Sequence, residues 1–157
     1  GLQVELITGD SSSQGPLLAR DLGIDVVKRG LTPQQKMAHV QQLQSTGAVV
    51  TMVGDGLNDA PVLSLADASF AVAGATDLAR TQADFVIVDG DLHAVTSTWR
   101  KARQCRRIIL QNFGWALGYN ISAIPLAAMG FIPPWAAAIG MSLSSLLVVA
   151  NSLRLNR

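Results

Sequence analysis

The sequence is short of the features that would settle its class at once. It has one cysteine, Cys105, so no internal disulfide can form and thiol usage leaves the redox compartment open. Acid is missing after Asp91. From there on the charged residues are Arg100, Lys101, Arg103, Arg106, Arg107, Arg154 and Arg157, all basic. Every acid lies between Glu5 and Asp91, opposed there by Arg20, Lys28, Arg29, Lys36 and Arg80. The formal net charge of +1 therefore hides an acidic half and a basic half, and gives no pointer to nucleic acid. Charge of either sign is missing from residues 108–153, a stretch long enough for two membrane-spanning helices of about 20 residues each. A buried helical hairpin in a soluble protein is the competing reading, but that stretch is long for a core segment. An initiator methionine and a recognisable signal peptide are also missing, and Gly1-Leu2-Gln3 runs straight into a strand pattern. The chain reads as the C-terminal part of a longer protein.

What the sequence does contain is organised around Thr51 to Ala60, Thr-Met-Val-Gly-Asp-Gly-Leu-Asn-Asp-Ala. The apolar run Ala48-Val49-Val50 before it predicts a buried strand, and Pro61 after it suits the first turn of a helix. Gly54 and Gly56 allow a tight turn and close approach to a ligand. Asp55 and Asp59 then fall at the carboxyl end of a strand, where α/β folds place ligands. Two carboxylates and Asn58 there suit Mg²⁺, which takes one or two carboxylates together with phosphate oxygens. An ordinary turn with Asn58 or Asp59 capping a helix is the plainer alternative.

Taken in order, Gln3 to Thr8 predicts a strand with Thr8-Gly9-Asp10 at its end. Ser11 to Ser13 predict a cap for a helix that runs to Leu22, is entered through Pro16 and is stopped by Gly23. Ile24 to Val27 predicts a short strand. Thr32 and Pro33 open a second helix. Met37, Val40 and Leu43 mark its buried side, and Gly47 ends it. Strands over Ser69–Val72 and Phe85–Val88 flank a helix from Thr76 to Gln82. Strands alternating with helices predict a parallel sheet covered on both faces. Thr8-Gly9-Asp10, Lys36 and the central loop would meet at one end of it. There Thr8 could bond a phosphate oxygen and Lys36 could neutralise one, although a plain turn and a solvated lysine account for the two residues equally simply.

Gly54-Asp55-Gly56-Leu57-Asn58-Asp59-Ala60-Pro61 resembles the Mg²⁺-binding motif of P-type ATPases, which have a haloacid dehalogenase fold. The resemblance implies that Asp55 ligates Mg²⁺, with Asp59 alongside, and that Asn58 and Asp59 support the phosphate site. Thr8-Gly9-Asp10 resembles the family motif that contributes a phosphate-contacting Thr. Ser11 stands where many members have Asn. Pro33-Gln34-Gln35-Lys36 resembles the motif whose Lys holds the aspartyl phosphate. The family's nucleophile motif Asp-Lys-Thr-Gly-Thr and its actuator motif Thr-Gly-Glu do not occur in this sequence. The chain is thus expected to complete an active site and not to turn over ATP alone.

From His93 a helix is expected to run unbroken through the basic cluster toward the apolar stretch. Basic residues at both ends of that stretch place both ends on the cytoplasmic side. The two spans would turn at Gly130–Pro134. Tyr119 and Asn120 in the first, and Met141, Ser142, Ser144 and Ser145 in the second, are polar or soft groups at mid-bilayer depth, and Pro125 frees a backbone carbonyl just beyond Asn120. Such groups serve either as helix–helix glue or as a transport site. Tyr119-Asn120 and Met141-x-x-Ser144-Ser145 resemble the metal-selectivity motifs of Cu⁺-transporting P1B ATPases. The resemblance implies that Tyr119, Asn120, Met141 and Ser145 line Cu⁺ sites, and a thioether suits that soft ion. The zinc branch carries a Lys and an Asp in these helices, and neither is present here. The short turn is more like that of bacterial members. His39, His93 and Cys105 have no partners at ligand spacing and read as structural.

The resulting expectation is an α/β, haloacid dehalogenase-like partial phosphorylation domain with a parallel sheet (1–92). It is followed by a basic stalk helix (93–107), a transmembrane helix (108–130), an extracytoplasmic turn (131–134), a second transmembrane helix (135–153) and a cytoplasmic tail (154–157). The function expected is part of an ATP-driven Cu⁺ exporter of the bacterial inner membrane. It would use Mg²⁺, take ATP as substrate, and draw on a copper chaperone and the lipid bilayer as partners. A membrane-anchored phosphatase of the same fold and a catalytically dead remnant are the alternatives.

Overall fold

The computed structural model describes residues 2–55, 59–75 and 77–156. Gly56, Leu57, Asn58 and Thr76 from the expectations above lie outside them. The chain divides into two compact units, Gly1–Leu92 and His93–Arg157.

In the first unit, strands and helices alternate: β1 (Glu5–Ile7), α1 (Gln14–Leu22), β2 (Val26–Lys28), α2 (Pro33–Ser45), β3 (Thr51–Gly54), α3 (Ala60–Leu65), β4 (Ala68–Ala71), α4 (Asp77–Gln82) and β5 (Phe85–Val86). All pairings among the described residues are parallel, as the alternation predicts. They form two sheets and not one: β1 pairs with β2, and β3, β4 and β5 pair in that order. Nor are both faces covered throughout. β4 is almost wholly buried, whereas Thr51 and Val53 of β3 are exposed and Met52 between them is buried.

The helix boundaries follow local chemistry. Gly23 closes α1 in the left-handed region, at φ 67°. Ser13 stands at the N-cap of α1 without a side-chain cap bond, and the Ser12 hydroxyl before it accepts from the Gln14 amide at 3.3 Å. Thr32 and Gln35 form a reciprocal capping box at the start of α2, with Pro33 in its first turn. That helix stops at Ser45, slightly before Gly47, because the Thr46 hydroxyl and amide both turn back onto the Leu43 carbonyl. The expected buried strand at Ala48–Val50 is not seen. Val49 is 84% exposed and β3 begins at Thr51. The Asp67 carboxylate takes the Val50 amide at 2.8 Å, and the Val50 carbonyl accepts from the Asp67 amide, so this segment is held before the ladder starts. The core gathers Val40, Met52, Ala60, Val62 and Leu63, so α2 and α3 close over β3.

The second unit is a helical hairpin. Helix α5 (His93–Ala128) is a single helix of 36 residues, about 54 Å at 1.5 Å per residue, and it continues through Pro125. The turn closes with the Gly130 amide on Ala127 and the Phe131 amide on Leu126, and Gly130 has φ 80°. Helix α6 (Pro134–Ser152) and a short 3₁₀ turn (Leu153–Asn156) return antiparallel to α5. Side chains tie the two helices along their length: Trp115 Nε1 to Ser144 Oγ at 3.2 Å, Asn112 Nδ2 to Ser152 Oγ at 3.0 Å, and Asn151 Nδ2 to Asn112 Oδ1 at 2.8 Å. Lys101 and Gln104 donate to the carbonyls of Leu155 and Arg154, closing the end of the returning helix. By length and composition, Pro134–Leu155 is the one helix among the described residues apolar enough to cross a membrane, and none of it is buried. Helix α5 does not meet that measure, its uncharged part being diluted by Gln111, Asn112 and Asn120.

Candidate functional site

The capping box fixes the first turn of α2 and so fixes Lys36, whose amide donates to the Thr32 carbonyl at 3.0 Å. Lys36 is only 8% exposed, which removes the solvated-lysine reading. Its ammonium donates to Asp59 Oδ1 at 2.7 Å. A lysine is rarely this buried without a partner, because a lone charge loses its hydration on burial. Asp59 sits at the N-cap position of α3, but its side chain makes no cap bond. Its carboxylate is committed to Lys36 instead, which sets aside the plain helix-cap reading for this residue. Gly54 makes room for it: a Cβ there would stand 3.3 Å from Asp59 Oδ2.

Thr8 follows β1. Its amide donates to the Lys28 carbonyl at 2.9 Å, and its carbonyl accepts from Leu31 at 3.1 Å. A Cβ on Gly9 would stand 3.3 Å from the Leu31 carbonyl oxygen, so glycine allows the two loops to touch. Leu31 leads directly into Thr32 and α2, which connects the Thr8 loop to the helix carrying Lys36. The Thr8 hydroxyl accepts from the Asp10 amide at 3.1 Å. Asp10 turns to Ser12, accepting from its amide at 2.8 Å and its hydroxyl at 2.6 Å. The Ser12 hydroxyl, then the Ser12 amide, hold the Asp10 carboxyl below its ordinary value. Asp55 is exposed just beyond β3. Asn58 lies outside the described residues.

One half-buried cluster was not foreseen. His39 Nε2 lies 2.7 Å from Glu5 Oε2, and His39 Nδ1 lies 3.1 Å from Lys28 Nζ. A lysine ammonium only donates, so Nδ1 accepts and Nε2 carries the proton shared with Glu5. Its three members come from β1, β2 and α2, a long-range meeting that no local spacing reveals. Among the described residues the Lys36–Asp59 contact is the lysine–carboxylate ion pair, and the neutral His39 ring donates to Glu5.

In the hairpin, the Tyr119 ring lies against Gly140. Any Cβ at 140 would collide with the Tyr119 hydroxyl and stand 3.4 Å from its Cζ. Tyr119 is therefore level with Met141, the next residue along. Asn120, Met141 and Ser145 are exposed on the hairpin, Met141 at 64%. Ser144 faces inward to Trp115, and Ser142 bonds back to the Ala138 carbonyl, so those two hydroxyls serve packing. Closer to the basic end, Gln111, Asn112, Trp115, Leu147, Val148 and Asn151 line a cleft of about 360 Å³ between the helices.

A parallel β/α unit with a lysine–carboxylate pair beside its strand ends fits the haloacid dehalogenase fold, and the haloacid dehalogenase-like hydrolase family model matches residues 1–67. More particularly, the chain belongs to the P-type ATPases. It is 47% identical over all of its 157 residues to a probable copper-exporting P-type ATPase V of Mycobacterium tuberculosis, and 42% identical, again over its whole length, to a copper-exporting P-type ATPase of Staphylococcus aureus. A solved structure of a zinc-transporting PIB-type ATPase in its E2.Pi state superposes on 98% of the chain and is matched over 25% of its own, with 33% identity and a TM-score of 0.91. The chain spans about a fifth of the length of the curated relatives it matches.

Proposed function

We propose that the protein carrying this chain is an ATP-driven Cu⁺ exporter of the bacterial inner membrane. In this reading the chain supplies phosphate-site residues from its first unit and two membrane spans bearing Cu⁺ ligands from its second. The observation that carries the reading is the buried Lys36–Asp59 contact at 2.7 Å, which joins two motifs 23 positions apart into one charged site. Lys36 offsets phosphate charge, Thr8 offers a hydroxyl, and Gly9 and Asp10 shape the loop that presents it. The donors fit Mg²⁺: Asp55 is an exposed carboxylate at a strand end, while Asp59 is already neutralised by Lys36. Asp55 is therefore the direct ligand, and Asp59, with Asn58, supports the site. When bound, Mg²⁺ supplies charge neutralisation at the phosphate oxygens.

Helices α5 and α6 form the membrane hairpin. The exposure of Ile109, Leu110, Phe113, Ile121, Leu143, Leu146 and Val149 supports this, since a face so apolar needs lipid or protein cover. Cu⁺ is the transported substrate, met by Tyr119, Asn120, Met141 and Ser145. The thioether of Met141, exposed beside the Tyr119–Gly140 contact, supports a soft ion. A copper chaperone is the expected donor.

The test uses the intact protein expressed from its own reading frame. ATP should form a Mg²⁺-dependent phosphoenzyme, and Cu⁺ should stimulate turnover. Asp55→Ala and Lys36→Met should abolish the phosphoenzyme. Met141→Ala and Asn120→Ala should keep phosphorylation by inorganic phosphate and lose Cu⁺ stimulation. Full activity in the last two variants would favour a membrane-anchored phosphatase. A gene product with no phosphorylatable aspartate would leave the remnant reading.

A further inference from the structure

We propose that Arg103, Arg106, Arg107, Leu110 and Gln111 form a site for the phosphate headgroup of an anionic membrane lipid, an inference that rests on the membrane reading of the hairpin. These five residues recur at helical spacing and so share one face of α5. They line a single groove of about 550 Å³. All three arginines are exposed. No Asp or Glu occurs between residues 92 and 157, so their own unit offers them no side-chain carboxylate.

The groove differs from a diffuse positive surface in three ways. Its cations are guanidiniums, whose planar donor forks match phosphate oxygens two at a time. The nearby amine, Lys101, is instead occupied by the Leu155 carbonyl at 3.1 Å. One fork is braced: the Arg103 guanidinium lies over the Trp99 ring, 4.8 Å from its centroid. And the floor changes character within one turn. Beyond Arg107 the lining passes to Leu110, 59% exposed. Gln111 is tied to α6 through Asn151 Nδ2 at 3.3 Å. A phosphodiester carrying acyl chains matches that sequence of groups, with its headgroup at the arginines and its first methylenes on Leu110. Free phosphate would leave the leucine unused. An anionic lipid is therefore the occupant.

The intact protein is placed in bilayer nanodiscs of phosphatidylcholine containing a minor share of phosphatidylglycerol, and the lipids retained on it are counted by native mass spectrometry. Phosphatidylglycerol should be enriched over phosphatidylcholine. Each Arg→Gln change at 103, 106 or 107 should cut the enrichment about five-fold, the value of one basic group near an anionic surface. The charge-matched control Arg20→Gln, in the other unit, should leave it unchanged. Equal retention of the two lipids, or enrichment that survives the triple Arg→Gln variant, overturns the proposal. So does displacement of the lipid by millimolar inorganic phosphate, which would make the groove a free-anion site. Extraction of the protein from plain phosphatidylcholine vesicles by carbonate separates the two levels. A protein that washes off sinks the membrane reading and this site with it. A protein that stays embedded without lipid selectivity sinks only the site.

Discussion

A missing methyl group sets the geometry of the hairpin at Gly140. The Tyr119 hydroxyl occupies the space that a side chain would need. Gly140→Ala should therefore destabilise the helix pair by about 1–3 kcal/mol, the ordinary cost of overpacking. Tyr119→Phe in the same molecule should restore most of that by removing the colliding oxygen. Thermal unfolding of the four variants in detergent, read by far-ultraviolet dichroism, checks this, and additive losses would show that the contact is not the cause. Asp67 carries a second prediction. The Val50 amide, and then Gln44, hold its carboxyl below the ordinary value of 3.8. A depressed folded value means the contribution is fully present above the unfolded value and is lost as pH falls through the folded one. Asp67→Asn should lower stability at neutral pH and flatten the acid limb below 3.8, as read by urea unfolding across that range. Neither contact was legible beforehand. Tyr119 and Asp67 were plain in the sequence, but their partners lie 21 and 17 positions away, and spacing carries no information about such meetings.

At the level of elements, the sequence was a good guide where the cause was local. Thr32 and Pro33 announced the start of α2, and Gly23 announced the end of α1, because caps are written within four or five residues. It misled where a distant group intervened. Ala48–Val50 has the composition of a buried strand, yet Asp67 holds it outside the ladder. His39 was read as structural, and its partners Glu5 and Lys28, which fasten α2 to both strands of the smaller sheet, lie too far along the chain for spacing to name them. Helix α5 offers the test at this scale. It runs from His93 to Ala128 without interruption, so it can pass a displacement along its length without bending. Trp99→Pro removes a hydrogen bond and introduces a clash, at a cost of about 3 kcal/mol. ATP hydrolysis should continue in that variant while Cu⁺ transport into inverted vesicles falls away. Transport that keeps pace with hydrolysis would show that the helix does not carry the signal.

For the molecule as a whole, the family could be read from motifs, but the relation of the helices to a bilayer could not. Composition suggested two spans, whereas among the described residues α6 alone passes a test of length and apolarity, because the uncharged part of α5 carries Gln111, Asn112 and Asn120 among its leucines and isoleucines. Cys105 gives a direct check in the intact protein once any cysteines outside this chain are replaced by Ser. Cys105 lies on the basic part of α5, and Phe131 lies in the turn at the far end. In sealed right-side-out cells, a membrane-impermeant maleimide should spare Cys105 and label Phe131→Cys in a Cys105→Ser background. Labelling of both positions from outside would exclude a hairpin that crosses and returns.

The partners of the three lysines have a consequence for control. Lys28 is bonded to His39, Lys36 to Asp59 and Lys101 to the Leu155 carbonyl, so each amine is already engaged within the chain. The remaining positive charge is carried by arginine, which stays protonated at any physiological pH and is not a substrate for acetyl transfer. The electrostatic character of this chain is thus fixed at synthesis. Enzymes that edit amines would find little to silence, and pH shifts around neutrality would leave its arginines charged.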